Sequence, residues 1–176
     1  MVPGIAEPAV TLSEAQAYVR IETGEEEAIV AGLIRTASAL CEAFINQVVI
    51  ARAFSEVIPV SGAWERLTPG PVRAITQIEG IDEAGAGTPL QTGDYSIDVD
   101  SSGDGWVRIA GSLAFRHLRV LGTAGMAAGE NDVPEPIRQG ILRLVAYLFS
   151  SRDGGGGEPP AAVSALWRPY RRLRIA

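Results

Sequence analysis

The sequence predicts an α+β protein: N-terminal and C-terminal helices forming a helical core, an antiparallel β-sheet or small barrel inserted between them, and a flexible C-terminal tail. Three observations predict it. Apolar residues recur at helical spacing near both ends, β-branched residues gather in short runs between turn residues in the middle third, and the order helices, strands, helices lacks the alternation that a parallel sheet requires. With 176 residues, 47% apolar and 20% charged, the chain has material for one core of ordinary size and is excluded from global disorder. Its 20 Gly and 11 Pro point to many turns. The parts expected are 1–47 as the N-terminal helical portion, 48–123 as the antiparallel β region, 133–152 as a core helix, and 153–176 as a Gly/Pro linker with a docking segment.

Thr11-Leu12-Ser13-Glu14 is a capping-box pattern, so a short helix is expected from there to about Arg20, before Gly24 interrupts it. Glu25, Glu26 and Glu27 then open a longer helix, acidic side chains being favourable at the positive end of the helix dipole. Ile29, Leu33, Ala37, Leu40 and Phe44 form one stripe along it, with Val30, Ile34, Cys41 and Ile45 forming a second beside the first. A face this wide needs more than one neighbour. From about Val48 the period changes, and Val57–Val60, Val72–Ile81, Tyr95–Val99, Trp106–Ile109 and Leu118–Leu121 read as strands. Helical spacing resumes at Pro136, which suits a first helical turn, and Ile137, Ile141, Leu144, Val145 and Leu148 make one face. Gly154–Gly157 reads as a flexible linker before a last short helix near Ala161–Trp167. Removal of everything after Ser164 is therefore expected to leave the fold intact.

Most chemistry is excluded by residue supply. All fifteen basic residues are Arg, which removes the amine required by a Walker phosphate loop or a Schiff base. A GC-rich coding bias explains the missing Lys as well as any mechanism does. The single His117 rules out two-histidine metal sets, no Gly-x-Ser-x-Gly elbow accompanies it, and it falls in an expected strand. Cys41, alone, precludes an internal disulfide and sits on an apolar helix stripe as a small buried hydrophobe. Asp98-Val99-Asp100-Ser101-Ser102-Gly103-Asp104 opens like a calcium loop, but Ile109 stands where the bidentate Glu belongs, so a hairpin turn is expected. No enzyme activity, metal or cofactor is expected. The opening Met1–Glu7 has neither the positive end nor the apolar run of a signal peptide, and no apolar stretch is read as reaching membrane-span length, so a soluble, cytoplasmically made protein is expected.

The chain end is the most distinctive segment. Four of the fifteen Arg fall in the last nine residues, beside Trp167, Tyr170, Leu173 and Ile175, in a chain of net charge −6. Nucleic-acid binding is weakened by the acidic remainder, and a solvated tail is a poor use of Trp and Tyr. Docking to a protein partner explains the Arg and aromatics together. Ordering about ten residues costs on the order of 10–20 kcal/mol of backbone entropy, so such a segment is expected to stay mobile until a partner supplies burial.

Taken together, the helical pair from Leu12-Ser13-Glu14-Ala15 to Ile45, Gly70-Pro71-Val72 and its alternating strand, Tyr95-Ser96-Ile97-Asp98, the helix opened by Val133-Pro134-Glu135-Pro136-Ile137, and the ending Ala165-Leu166-Trp167-Arg168-Pro169-Tyr170-Arg171-Arg172 carry a family likeness. In order and spacing the chain resembles the head-tail connector, or adaptor, proteins of long-tailed phages, and its Arg-only, Gly-rich composition also fits the related gene transfer agents. The resemblance implies a structural protein of the particle neck, assembled in the bacterial cytoplasm. It would form a homo-oligomeric ring, expected to be a dodecamer, below the portal protein, extending the DNA channel towards the stopper or tail-completion protein. DNA would pass without specific binding, and no membrane is involved. By the same resemblance, Trp167, Arg168, Tyr170, Arg171, Arg172 and Arg174 would grip the portal. The acidic balance adds Glu25, Glu26, Glu27, Asp98, Asp100 and Asp104 as channel-facing candidates that repel phosphate. The alternatives are another neck or tail-completion protein, a small hydrolase, and a DNA-binding regulator.

Overall fold

A computed structural model describes residues 2, 4, 7–21, 24, 26–111, 113–151 and 159–172, and it divides into two units of different secondary structure. One, Met1–Gly4 with Ala51–Met126, is built of strands; the other, Ile5–Ile50 with Ala127–Ala176, is built of helices. The α+β class holds, with the strands inserted between the two helical portions.

In the helical unit, α1 (Leu12–Val19) begins with the expected capping box: Thr11 Oγ1 accepts the Glu14 amide at 3.2 Å, and the Glu14 carboxylate accepts the Thr11 amide at 2.9 Å. Two orphan donors of the helix start are satisfied in this way. The long helix α2 (Glu27–Ile45) packs against α1, α3 (Glu135–Ser150) and α4 (Ala161–Trp167). Val30, Ile34, Cys41 and Ile45 of the second stripe are all buried and carry the core, joined by Ala37 from the first. The rest of the first stripe lies at its border, with Ile29 46% exposed and Leu33, Leu40 and Phe44 half-buried.

By length and composition α2 is apolar enough to cross a membrane, which corrects the expectation that no stretch reaches that length. Its place as the central helix of this unit accounts for its apolarity. On α3, Pro136 lies in the first turn as expected, and Ile137, Gly140, Ile141, Leu142, Leu144 and Val145 are buried. Arg138 binds the unit's pieces together: it donates to the Ala9 carbonyl at 3.2 Å and the Glu130 carbonyl at 3.0 Å, and forms an ion pair with Glu14.

The β unit holds two antiparallel sheets. The larger has the order β1 (Arg52–Pro59), β7 (His117–Ala124), β3 (Val72–Ile81), β4 (Gly87–Pro89); the smaller has the order β2 (Glu65–Arg66), β6 (Gly105–Ile109), β5 (Tyr95–Val99). Neither sheet closes on itself, so the barrel alternative gives way to two open sheets. They meet at Leu67, Val72 and Gly105, where a Cβ on Gly105 would lie 2.8 Å from Val72 Cγ2. Phe54, Ile78, Val107, Leu118 and Val120 are buried in this unit.

The expected boundary at Val48 moves to residue 51. Val48, Val49 and Ile50 are buried and belong to the helical unit, where Ile50 forms an isolated parallel bridge with Ala127. Their β-branched side chains suit a buried connector as well as a strand, which is why periodicity misplaced them.

Candidate functional site

The chain end was expected to await a partner, but up to Arg172 it is seated on the helical unit. Trp167 closes α4 and is wholly buried. Its indole lies over Gly140 of α3, so close that a Cβ there would stand 2.1 Å from Nε1; Nε1–H donates to the Ile137 carbonyl at 3.3 Å, and the ring centroid is 5.9 Å from that of Phe44. This corrects the reading of Trp167 as a portal contact, because its surface is already covered by the protomer's own core. Truncation after Ser164 would remove core structure as well as the ending. The linker Gly154–Gly157 and the terminal Arg174 lie outside the described residues.

Beyond Trp167, a 3-10 turn (Arg168–Tyr170) brings the chain to the C-terminal end of α2. The Arg172 amide donates to the Ile45 carbonyl at 2.9 Å, Gln47 Nε2 donates to the Tyr170 carbonyl, and Asn46 Nδ2 reaches the Arg172 carbonyl at 3.5 Å. The last carbonyls of a helix have no intrahelical partner and carry the negative end of its dipole. α2 has no basic residue in its own last turn, and the Arg171 guanidinium lies 5.7 Å from the Phe44 ring in that turn. The chain end thus caps α2. Arg168 and Arg171 remain exposed, while Tyr170 and Arg172 are half-buried. Trp167 acts as the anchor that positions these residues on one surface.

The acidic candidates do not form one group. Asp98 to Asp104 lie on the β5–β6 hairpin of the β unit, whereas Glu26 and Glu27 start α2 in the helical unit; Glu25 lies outside the described residues. Glu27 and Asp98 are exposed, and Glu26, Asp100 and Asp104 are half-buried.

The hairpin turn explains the calcium-like spacing. Asp100 Oδ1 accepts the amides of Ser102 at 2.8 Å and Asp104 at 3.0 Å, Asp100 Oδ2 accepts Trp106 Nε1–H at 3.4 Å, and Gly103 takes the left-handed conformation the reversal needs, with φ 79°. The Asp104 amide, first among these donors, holds the Asp100 carboxyl below its usual range. Asp104 forms an ion pair with Arg66 at 2.6 Å.

The two single-copy reactive side chains sit in unlike places. Cys41 is wholly buried, and burial pushes its thiol far above the ordinary range. His117 is exposed at the first residue of β7, paired across to Pro59 and Ile81.

A second aromatic group went unread in the sequence. Trp64-Glu65-Arg66 and Trp106-Val107-Arg108 are two copies of a Trp-x-Arg tripeptide, and antiparallel pairing of β2 with β6 sets Arg66 against Trp106. Each guanidinium lies over the other tripeptide's indole, Arg66 at 5.9 Å from the Trp106 centroid and Arg108 at 4.9 Å from that of Trp64. The repeated tripeptide was the available signal. Trp64, Trp106 and Asp98 line a cleft of about 290 Å³.

The sequence matches no family model and no curated protein. Similarity appears in solved structures, over the whole of this chain. It is 25% identical, with TM-score 0.76 and 94% of the other chain covered, to a chain in the neck of an empty GTA particle computed with C6 symmetry. It is 25% identical, with TM-score 0.77 and the same coverage, to a chain in the virion of a native gene transfer agent particle. A chain in the neck of a native GTA particle computed with C12 symmetry, 22% identical with TM-score 0.74 and 94% covered, shares the fold. The sequence resemblance and the solved structures point to the same class of particle: the chain has, from end to end, the fold of a gene transfer agent neck protein.

Proposed function

We propose that the protein is a structural component of the neck of a phage-like particle, and within it the adaptor: a homo-oligomeric ring below the portal that extends the DNA channel and joins capsid to stopper or tail. The observation that carries this reading is the full-length likeness to a chain in a gene transfer agent neck. A chain in a neck computed with six-fold symmetry is repeated about an axis, and a ring of twelve copies satisfies that symmetry. The exposed Arg168 and Arg171, with Tyr170, Arg172 and Arg174, form the portal contact, and repetition around a ring multiplies modest single contacts. Of the two acidic groups, the start of α2 is the candidate for the lumen wall. A structural, non-enzymatic role accords with the likeness to chains of a particle neck and virion.

Electron microscopy of the purified protein mixed with its portal tests this. Rings of twelve subunits seated on the portal are expected. A protein that stays monomeric and neither binds portal nor is needed for tailed particles would overturn the adaptor reading.

A further inference from the structure

We propose that the cleft lined by Trp64, Asp98 and Trp106 seats an arginine side chain of a protein partner other than a second copy of this chain. This goes beyond the neck reading and stands on the β unit alone. The cleft holds about 290 Å³, and Trp64 is left 42% exposed, an unusual expense of apolar surface unless something covers it.

Three features select a guanidinium. The first is the walls: indole faces are the best aromatic partners for a cation, and the same two rings already receive Arg66 and Arg108, neither of which lines the cleft. The second is the carboxylate. Asp98 lies directly across from Trp106 in the β5–β6 register and is exposed, its carboxylate without a hydrogen bond or ion pair among the described residues. Its neighbours on the hairpin are committed, Asp100 to the turn amides and Asp104 to Arg66, so Asp98 is the acid available to a ligand.

Shape is the third. A planar guanidinium stacks between or beside indoles and still offers a fork of N–H donors to a carboxylate, which a compact ammonium does not. Arg108, the nearby basic residue, is held over Trp64 at 4.9 Å and forms no ion pair with Asp98. The charge of the whole chain, −6, favours a basic partner over another copy. Trp and Arg are also the residue types that dominate binding energy at protein interfaces, and here both meet a carboxylate on one sheet face.

The test uses the full chain labelled with 5-fluorotryptophan, whose three fluorine resonances are assigned with Trp64→Phe and Trp106→Phe. The probe is acetyl-Gly-Arg-Gly-amide, with the citrulline peptide as an uncharged control of the same shape. Saturable shifts are expected at Trp64 and Trp106, with a Kd on the order of 1–10 mM for so small a probe, while the buried Trp167 stays still. The citrulline peptide and the Asp98→Asn variant should each bind at least about five-fold more weakly. No saturable shift at either ring, equal binding of the citrulline peptide, or unchanged affinity in Asp98→Asn would overturn the proposal. If Asp98→Asn instead lowers the oligomeric state of the purified protein, the cleft serves a second copy and the assignment to a different partner is wrong. Failure of the peptide to bind leaves portal attachment and ring formation unaffected, so this result and that of the adaptor reading are separable.

Discussion

Substituting Gly140 is expected to change sign with the residue at position 167. In the native chain a Cβ on Gly140 would fall 2.1 Å from Trp167 Nε1 and 2.7 Å from Cε2, and its three nearest atoms all belong to that indole. Gly140→Ala must therefore displace the ring, and overpacking of this kind costs about 1–3 kcal/mol, more than the ~1 kcal/mol gained from helix propensity in α3. Trp167→Ala by itself should cost about 3–5 kcal/mol, because it empties a wholly buried site and removes the bond to the Ile137 carbonyl. In the Trp167→Ala background, however, the clash is gone, and Gly140→Ala should stabilise by up to about 1 kcal/mol.

Urea unfolding followed by circular dichroism gives the four free energies of this cycle. Reaction of the buried Cys41 with a disulfide reagent under native conditions reports opening of the same unit independently, since the thiol is inert until α2 is uncovered. Equal effects of Gly140→Ala in both backgrounds, or a Trp167→Ala cost below about 1 kcal/mol, would refute the seating of the indole on α3. Truncation after Ser164 is expected to behave like Trp167→Ala, with faster Cys41 reaction, and not as a silent loss of a tail.

Glu14 gives a pH signature. Its carboxyl is held below the ordinary range, first by the Thr11 amide and further by the Thr11 hydroxyl and Arg138, so its contribution is complete above the ordinary Glu pKa and is lost as pH falls through the depressed folded value. Glu14→Gln should flatten the fall in melting temperature between about pH 5 and pH 3, and a variant that falls as steeply as wild type would contradict the linkage. Arg138→Ala, which frees the Ala9 and Glu130 carbonyls as well as Glu14, should cost about 2–3 kcal/mol in urea unfolding. Arg171→Glu with Arg172→Glu should block attachment to the portal in co-sedimentation while lowering stability by only about 1 kcal/mol, the contribution of a cation at the end of α2; normal yields of tailed, DNA-filled particles would remove these arginines from the docking role. Chelator should leave the melting temperature unchanged, whereas Asp104→Ala should lower it modestly by leaving Arg66 without its carboxylate, and a chelator-induced drop would reinstate the calcium-loop reading.

The elements legible in the sequence are those whose own periodicity is long enough to read. The capping box at Thr11 and Glu14, the core stripe Val30, Ile34, Cys41 and Ile45, the turn at Asp100–Asp104, and β3 over Val72–Ile81 all follow from local chemistry. β2 and β4 went unread because two or three residues carry no period, and β2 exists only through its pairing with β6. The same pairing made the Trp-x-Arg tripeptides into a surface, a relation that neither tripeptide carries alone.

The chain end was misread for a different physical reason. Trp, Tyr and Arg mark desolvated contacts, and a contact within the protomer uses the same residues as a contact between proteins, so composition at a terminus cannot say whose surface is being covered. The discriminating residue lay elsewhere. Gly140 stands in the middle of an apolar helix at a cost of about 1 kcal/mol relative to Ala, and such a glycine needs a reason, most simply another group pressed against the backbone. Pairing that unexplained glycine with a bulky residue in need of a cavity would have placed Trp167 in the core. The consequence for docking is mechanical: with the indole fixed, Arg168 and Tyr170 on a short 3-10 turn and Arg171 just after it are held over the end of α2, already ordered before any partner arrives. A partner that binds there need not supply the entropy of ordering those residues, so affinity depends on the anchor as well as on the charges, and Trp167→Phe should weaken portal binding without touching a single exposed arginine.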